Sequence, residues 1–172
     1  MDPHELHEMT EQAARRQEKG LGLTTAVFAV LLAIATMLAH RNHTKEAVLA
    51  TRAADQWSYY QAKNIRRHVY AADRLLAQAQ GAAGAKADAA LLGLYQHEMT
   101  KLPAVLAEAE RLETATARAE RRADYFDISE IFFEFAVVLC SIALLSEQTL
   151  FWKASFAGAA IGIVIAVIAL SI

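Results

Sequence analysis

The fold is decided by a run of 19 consecutive uncharged residues, LGLTTAVFAVLLAIATMLA at positions 21–39. A second run of the same length and character, ASFAGAAIGIVIAVIALSI, occupies positions 154–172. As an α-helix each run would rise about 28 Å, close to the thickness of the hydrocarbon core of a bilayer. A chain of 172 residues has too little other sequence to cover two helices that are apolar on every face. We therefore predict that both runs cross a membrane.

A third apolar run, ISEIFFEFAVVLCSIALL at 128–145, contains two glutamates but has a strongly apolar centre. Only the segment SEQTLFWK, residues 146–153, separates it from the last run, and this length suits a tight helical hairpin. A polar N-terminal segment, residues 1–20, precedes the first run. The sequence thus predicts three transmembrane helices, at residues 21–40, 128–146 and 152–172.

Residues 41–127 form a charged middle segment with 13 Lys and Arg against 11 Asp and Glu. The whole chain contains 37 Ala, the best helix former, and the strongest turn signal in the middle segment is GAAGAK at 81–86. We therefore predict an all-α membrane protein with a long antiparallel coiled-coil helical hairpin between spans one and two, turning near residues 81–86.

Both predicted arms of the hairpin have small or apolar residues at three- and four-residue spacing, which is typical of coiled coils. In the first arm we expect the contact with the second arm along Val48, Thr51, Asp55, Ser58, Ala62, Ile65, Val69, Ala72, Leu76 and Ala79. In the second arm we expect it along Leu91, Tyr95, Met99, Leu102, Val105, Ala109, Leu112, Thr116 and Ala119. Since a two-helix hairpin buries only one stripe per helix, we also expect a homo-oligomer.

A second stripe on the first arm contains Leu49, Ala53, Trp57 and Tyr60 at helical spacing. Trp and Tyr are large side chains that rarely pack against nothing. Three interpretations stay open: the core of the hairpin, a contact between subunits, or a site for a ligand or partner. Leu49, Trp57 and Tyr60 are the candidate interaction residues.

Three carboxylates, Asp127, Glu130 and Glu134, share one face of the second span at spacings i, i+3 and i+7, and Ser141 continues that face. A carboxylate inside hydrocarbon costs about 2.5–3.5 kcal/mol and usually faces a bundle interior or water. One interpretation has Asp127 and Glu130 at the headgroup level and Glu134 paired with a neighbouring helix. The other is an acidic ion path through an oligomer that favours cations.

The last span carries small residues every four positions, and Gly158 with Gly162 matches the GxxxG motif of helix packing. The full stripe is Ala154, Gly158, Gly162 and Ala166. Packing within the subunit and self-association of this span are both open interpretations.

The sequence indicates neither catalysis nor a cofactor. The His4–Glu8 segment departs from the zinc motif HExxH, because position 8 is Glu, and the single cysteine, Cys140, lies in an apolar span. His40 and His43, at the end of the first span, suit membrane-interface anchoring or a pH-sensitive contact with Asp127 or Glu130. A net charge of −2 gives no general basis for nucleic-acid binding.

The stretch AADQWSYYQAKNIRRHVY, residues 53–70, is the most distinctive in the chain. Together with the preceding LAHRNHTKEA and the later DISEIFFEFAVVLCSIALL, it resembles a bacterial membrane family catalogued as domain of unknown function 4337. The resemblance covers residues 21–172 in the order span, DQW-containing helix, charged helix and two closing spans. It implies that the spans and the hairpin form one unit, and it brings no catalytic residues.

We expect a protein of the bacterial inner membrane. Its hairpin would lie on the cytoplasmic side, because seven positive residues flank the spans on that side against four on the other. The function we expect is that of a non-enzymatic oligomeric scaffold or interaction protein, with the hairpin displayed to a protein partner. The alternatives are a small oligomeric ion channel or ion-coupled transporter, with Glu130 and Glu134 in its path, and an accessory subunit of a larger complex.

Overall fold

The structure, a computed structural model, describes residues 3–146 and 148–172, with side chains from Glu18 onward. Helix α1 runs over Pro3–Ala79, and helix α2 over Ala85–Ser146. A short 3₁₀ turn at Gly81–Ala83 connects them, and helix α3 covers Thr149–Ser171. No strand occurs in these described ranges. Each of the three helices contains a stretch long and apolar enough to cross a membrane. The prediction of an all-α chain with three candidate spans and a helical hairpin is confirmed.

Two glycines make the connection between α1 and α2. Gly81 has φ of +62°, in the left-handed region that glycine adopts without strain. A Cβ at Gly84 would overlap the backbone carbonyl of Ala77, so this position requires glycine as well. The N–H of Gly84 donates to the carbonyl of Gly81 at 3.1 Å, and α2 begins directly afterwards.

The chain divides into two compact units. The hairpin unit comprises Lys45–Arg118, and its two arms run antiparallel. Side-chain contacts between the arms fix their register: Gln56 donates to the carbonyl of Val105, Lys63 pairs with Glu98, and Arg74 pairs with Asp88. The second unit, here called the three-helix unit, contains the chain up to Thr44 together with Ala119–Ile172.

The predicted contact line of the first hairpin arm is wrong. All ten positions expected to face α2, from Val48 to Ala79, are exposed. The arm instead turns the opposite face toward α2, with Ala53, Lys63 and Ala77 buried. The reason is that the buried face contains polar side chains whose partners lie on α2. The line predicted for the second arm is largely as expected, with Leu102 and Ala109 buried, but Met99 is exposed and its neighbour Glu98 is buried.

In the three-helix unit, α1 and α3 run in the same direction and α2 runs opposite to both. Its interior holds mainly small side chains and three phenylalanines: Phe28, Ala35, Ala39, Phe126, Ser129, Phe133, Ala136, Cys140, Ser155, Ala159, Gly162 and Ala169. Large aliphatic side chains instead point outward on all three helices, among them Val30, Ile34, Ile131, Val138, Ile161, Val164 and Val167. Because a protein in water buries such side chains, this arrangement is compatible with an integral membrane protein.

Candidate functional site

The acidic face of α2 in the three-helix unit lies partly against α1. Nε2 of His43 lies 2.9 Å from Oδ2 of Asp127, in a pair that leaves both side chains about half exposed. Further along, Oγ1 of Thr36 lies 2.7 Å from Oε1 of Glu130 and donates a hydrogen bond to it. Asp127 and Glu130 therefore both have partners on α1 of the same chain.

Glu134 differs from the other two carboxylates. It is exposed, and its exposed neighbours are apolar: Ile131, Phe135 and Val138. Within the part of the chain that the structure describes, no hydrogen bond or ion pair reaches its carboxylate. A carboxylate in such surroundings is costly in a bilayer unless water or another subunit meets it. Among the three carboxylates of this face, Glu134 is therefore the one whose partner, if the helix crosses a bilayer, has to be water or another subunit.

No site for a metal ion emerges from the described residues, since no three of their His, Cys, Asp and Glu side chains come together in a suitable group. The side chains of His4 and His7 lie outside the part of the chain that the structure describes, as do the other side chains of the predicted polar segment 1–20 before Glu18. Cys140 is fully buried, and its Sγ lies 3.2 Å from Oγ of Ser155, between α2 and α3.

The predicted interaction stripe of the first arm lies on the inner side of the hairpin. Leu49, Trp57 and Tyr60 are half-buried and lie on the same side of α1 as the buried Ala53. The rings of Trp57 and Tyr60 meet edge to face, with centroids 5.8 Å apart. Of the three interpretations of this stripe, this position favours the core of the hairpin.

A buried ion pair that the sequence analysis missed lies near the middle of the hairpin. Nζ of Lys63 is 2.7 Å from Oε2 of Glu98, and both side chains are more than 90% buried. Nη1 of Arg66 approaches the other oxygen of Glu98 at 3.4 Å, and the ring centroid of Tyr59 lies 5.2 Å from Nζ. Glu98 thus has a cationic group near each carboxylate oxygen. At this level an ion pair connects the two arms, where a coiled coil normally has apolar contacts.

The pair changes the protonation behaviour of both groups. The hydrogen bond to Glu98 raises the pKa of Lys63 above its ordinary value, although burial acts in the opposite direction. The hydrogen bond from Lys63 lowers the pKa of Glu98, and the charge of Arg66 lowers it further. Both groups therefore stay charged through the physiological range. A signal for this pair was absent from local sequence, because its members lie 35 residues apart.

The glycines of the GxxxG motif face α2 of the same chain. A Cβ at Gly162 would lie 3.1 Å from the ring of Phe133, and a Cβ at Gly158 would lie 3.6 Å from the carbonyl oxygen of Phe132. The carbonyl of Gly162 accepts a hydrogen bond of 2.9 Å from the buried hydroxyl of Ser129. For these two glycines the contacts favour packing within the subunit, whereas Ala154 of the same stripe is exposed.

Comparison with known proteins gives a family for the chain. No curated protein and no solved structure matches it. A family model described as "Domain of unknown function (DUF4337)" matches residues 17–172, which include both the hairpin and the three-helix unit. The chain belongs to this family.

Proposed function

We propose that this protein is a non-enzymatic, self-associating scaffold of the bacterial inner membrane, which displays its helical hairpin to partners. The observation that carries the proposal is the division of surfaces between the two units. Large aliphatic side chains cover the outside of the three-helix unit, while the hairpin unit has a mixed-charge exterior. The first surface suits lipid and the second suits water. The three-helix unit would therefore anchor the protein in the membrane, and the hairpin unit would be accessible to partners in water.

The hairpin would lie on the cytoplasmic side, in line with the positive residues that flank the spans. A cysteine at the exposed position Ser58 tests this, in a Cys140→Ala background. A membrane-impermeant maleimide should label Ser58→Cys in inverted vesicles and leave it unlabelled in intact spheroplasts. Labelling in intact spheroplasts would overturn the proposed orientation.

The scaffold proposal is tested by the state of the full-length chain in native membranes. Treatment with an amine-reactive cross-linker should give ladders of the intact protein, and carbonate extraction should leave the protein in the membrane fraction. A protein that stays monomeric under cross-linking would contradict self-association. A protein that carbonate releases would contradict the anchoring function of the three helices.

A second candidate function is a small oligomeric ion channel or ion-coupled transporter, with Glu130 and Glu134 in its path. The observation in its favour is the exposed carboxylate of Glu134 among apolar neighbours. In an oligomer, copies of this side chain could form an acidic ring of the kind that selects cations.

Conductance in reconstituted bilayers tests the channel. A channel lined by Glu134 should lose cation selectivity in the Glu134→Gln variant and keep it in Glu113→Gln, a control at an exposed position of the hairpin. Absence of conductance, or conductance that Glu134→Gln leaves unchanged, would rule out this candidate.

A further inference from the structure

The first arm of the hairpin has an apolar stripe on the face turned away from α2. We call it the outer stripe, and it follows the three- and four-residue spacing of a heptad repeat: Ala62, Ile65, Val69, Ala72, Leu76 and Ala79. All six residues are exposed, and the larger ones are at least half exposed, with 63% for Ile65 and 66% for Leu76. The contacts of the hairpin with itself therefore leave this stripe uncovered.

Single exposed apolar residues are ordinary on protein surfaces, but a continuous heptad stripe is different. From residue 62 to residue 79 every stripe position is aliphatic, while eight of the twelve positions between carry Lys, Asn, Arg, His, Asp or Gln and the other four are Tyr70, Ala71, Leu75 and Ala77. Such a pattern indicates a helix that packs against another helix. Since α2 of the same chain packs on the opposite face of this arm, we look for the partner of the stripe in another molecule.

We propose that the outer stripe packs in parallel and in register against the outer stripe of a second copy of this chain. This inference rests on the proposed function, because it takes both copies to be anchored in one membrane. Copies with the same topology would have their hairpin arms on the same side of the membrane and pointing in the same direction. Parallel pairing then places identical residues of the two arms at the same height, so the whole stripe is covered.

The residues that flank the stripe are complementary in this arrangement. In a parallel pair each g position lies beside the e position five residues later in the other helix. This brings Gln61 beside Arg66 and His68 beside Asp73 of the second copy. Each pair joins a donor with an acceptor, and no like charges meet at either position.

The state of His68 fits this pairing. Nη2 of Arg67 lies 3.0 Å from Nε2 of His68, and because a guanidinium only donates, Nε2 accepts. Nδ1 then carries the proton and can donate to the carboxylate of Asp73 in the second copy. Within the described part of this chain, neither a hydrogen bond nor an ion pair engages Asp73 itself.

Asp55 defines where the contact ends. It occupies a stripe position one heptad before Ala62, so in a parallel pair it would face Asp55 of the second copy. Two carboxylates that face each other repel, which confines the contact to residues 62–79. The proposal therefore predicts that Asp55→Leu strengthens self-association by extending the stripe toward Val48.

Cysteine cross-linking of the full-length chain in native membranes tests the geometry, again in a Cys140→Ala background. Val69→Cys and Leu76→Cys should each form disulfide-linked homodimers under mild oxidation. The control is Leu94→Cys, which replaces a comparably exposed leucine of α2 and should remain largely monomeric. Homodimers from an Ile65→Cys/Leu76→Cys double variant, without any from Ile65→Cys or Leu76→Cys alone, would indicate antiparallel arms and overturn the proposal. Adducts whose mass matches another protein would overturn it as well.

Substitutions at exposed positions then test the energetics of the contact between copies and leave the buried contacts within the chain unchanged. Leu76→Glu should weaken self-association in detergent by about tenfold or more, since it replaces a buried apolar contact by facing charges. Leu94→Glu should leave self-association unchanged, and Asp55→Leu should strengthen it. If the wild-type chain is oligomeric and none of these variants changes its self-association, the proposed pairing through the outer stripe is wrong, but the scaffold proposal is not contradicted. If the wild-type chain is monomeric, the scaffold proposal itself fails.

Discussion

The two units of this chain differ in the side chains that lie between their helices. The three-helix unit encloses small side chains and three phenylalanines, and most of its large aliphatic side chains point outward. The hairpin unit encloses the Lys63–Glu98 ion pair beside Ala53, Leu102 and Ala109, and it leaves the outer stripe exposed. A single-domain protein in water would instead bury its large aliphatic side chains and expose its charged ones.

The difference shows what each unit lacks. In lipid, helices gain nothing by burying aliphatic side chains, so close contact of small residues and a few hydrogen bonds must join them. In water, a two-helix hairpin has too little area for a conventional core. We expect its buried ion pair to specify the register of the arms more than to stabilise them, because desolvation offsets much of the attraction between buried charges.

The largest effect should come from the turn of the hairpin. Gly84→Ala places a Cβ against the backbone carbonyl of Ala77, which cannot move without opening the end of α1. We expect a loss of stability above about 3 kcal/mol, beyond the usual range of overpacking. The rate of amide hydrogen exchange should rise in peptides from residues 45–118, while peptides from the three-helix unit should stay protected from exchange. Gly93→Ala is the control, because its Cβ meets open space.

Removal of Glu98 should have the next largest effect. Glu98→Ala leaves the ammonium of Lys63 buried without its carboxylate, so the melting temperature of the hairpin should fall by several degrees. The matched control is Glu108→Ala, which removes the exposed partner of Arg111 on the same helix and should change little. The double variant Lys63→Met/Glu98→Leu should recover most of the loss. A double variant as unstable as Glu98→Ala would contradict this account.

Acid should act on the hairpin through the same pair. Because the folded-state pKa of Glu98 is lowered, its contribution to stability is present above the unfolded pKa and is lost as pH falls through the folded value. The melting temperature of the hairpin should therefore be nearly constant from neutrality down to about pH 4 and should fall below that pH. In Glu98→Gln this acid dependence should be reduced. An unchanged profile would assign the acid sensitivity to other carboxylates.

In the three-helix unit, Gly162→Leu should destabilise by about 1–3 kcal/mol through overpacking against Phe133. Gly22→Leu is the control, since a Cβ there has no neighbour within 4 Å. The measurement is hydrogen exchange of peptides from α2 and α3 in detergent. Equal effects of the two variants would mean that the contact between Gly162 and Phe133 contributes little.

The smallest effect should come from the buried hydroxyl of Ser129. Ser129→Ala removes the hydrogen bond to the carbonyl of Gly162 and should cost about 0.6 kcal/mol, the average for such bonds between membrane helices. Unfolding of the purified protein by denaturant in mixed micelles can resolve this difference. A loss of stability as large as that of Glu98→Ala would contradict the expected difference between buried polar contacts in the two units.

Sequence alone predicted the elements well, because each depends on a local signal. The apolar runs predicted the three candidate spans, and the glycines near residue 81 predicted the turn. The contact face of the first arm was mistaken, because α1 carries two helical stripes and the more aliphatic one faces outward. Periodicity identifies stripes, but it does not say which of them meets the other arm.

The contacts of the acidic face needed the structure for a similar reason. Thr36 meets Glu130 across 94 positions of sequence, and nothing near either residue signals the other. The pairing of His43 with Asp127 is one of two uses that the sequence left open for His43. The position of Glu134 depends on the rotation of α2 about its axis, which is set by packing of small residues against α3.

The buried thiol of Cys140 can serve as a chemical probe for opening of the three-helix unit. It is the single cysteine of the chain and lies fully inside the three-helix unit, while the hairpin has none. The rate at which a membrane-permeant thiol reagent reacts with unmodified protein therefore times one event, the separation of α2 from its neighbours. Any ligand, lipid or partner that tightens this unit can be found by the slowing of that one reaction.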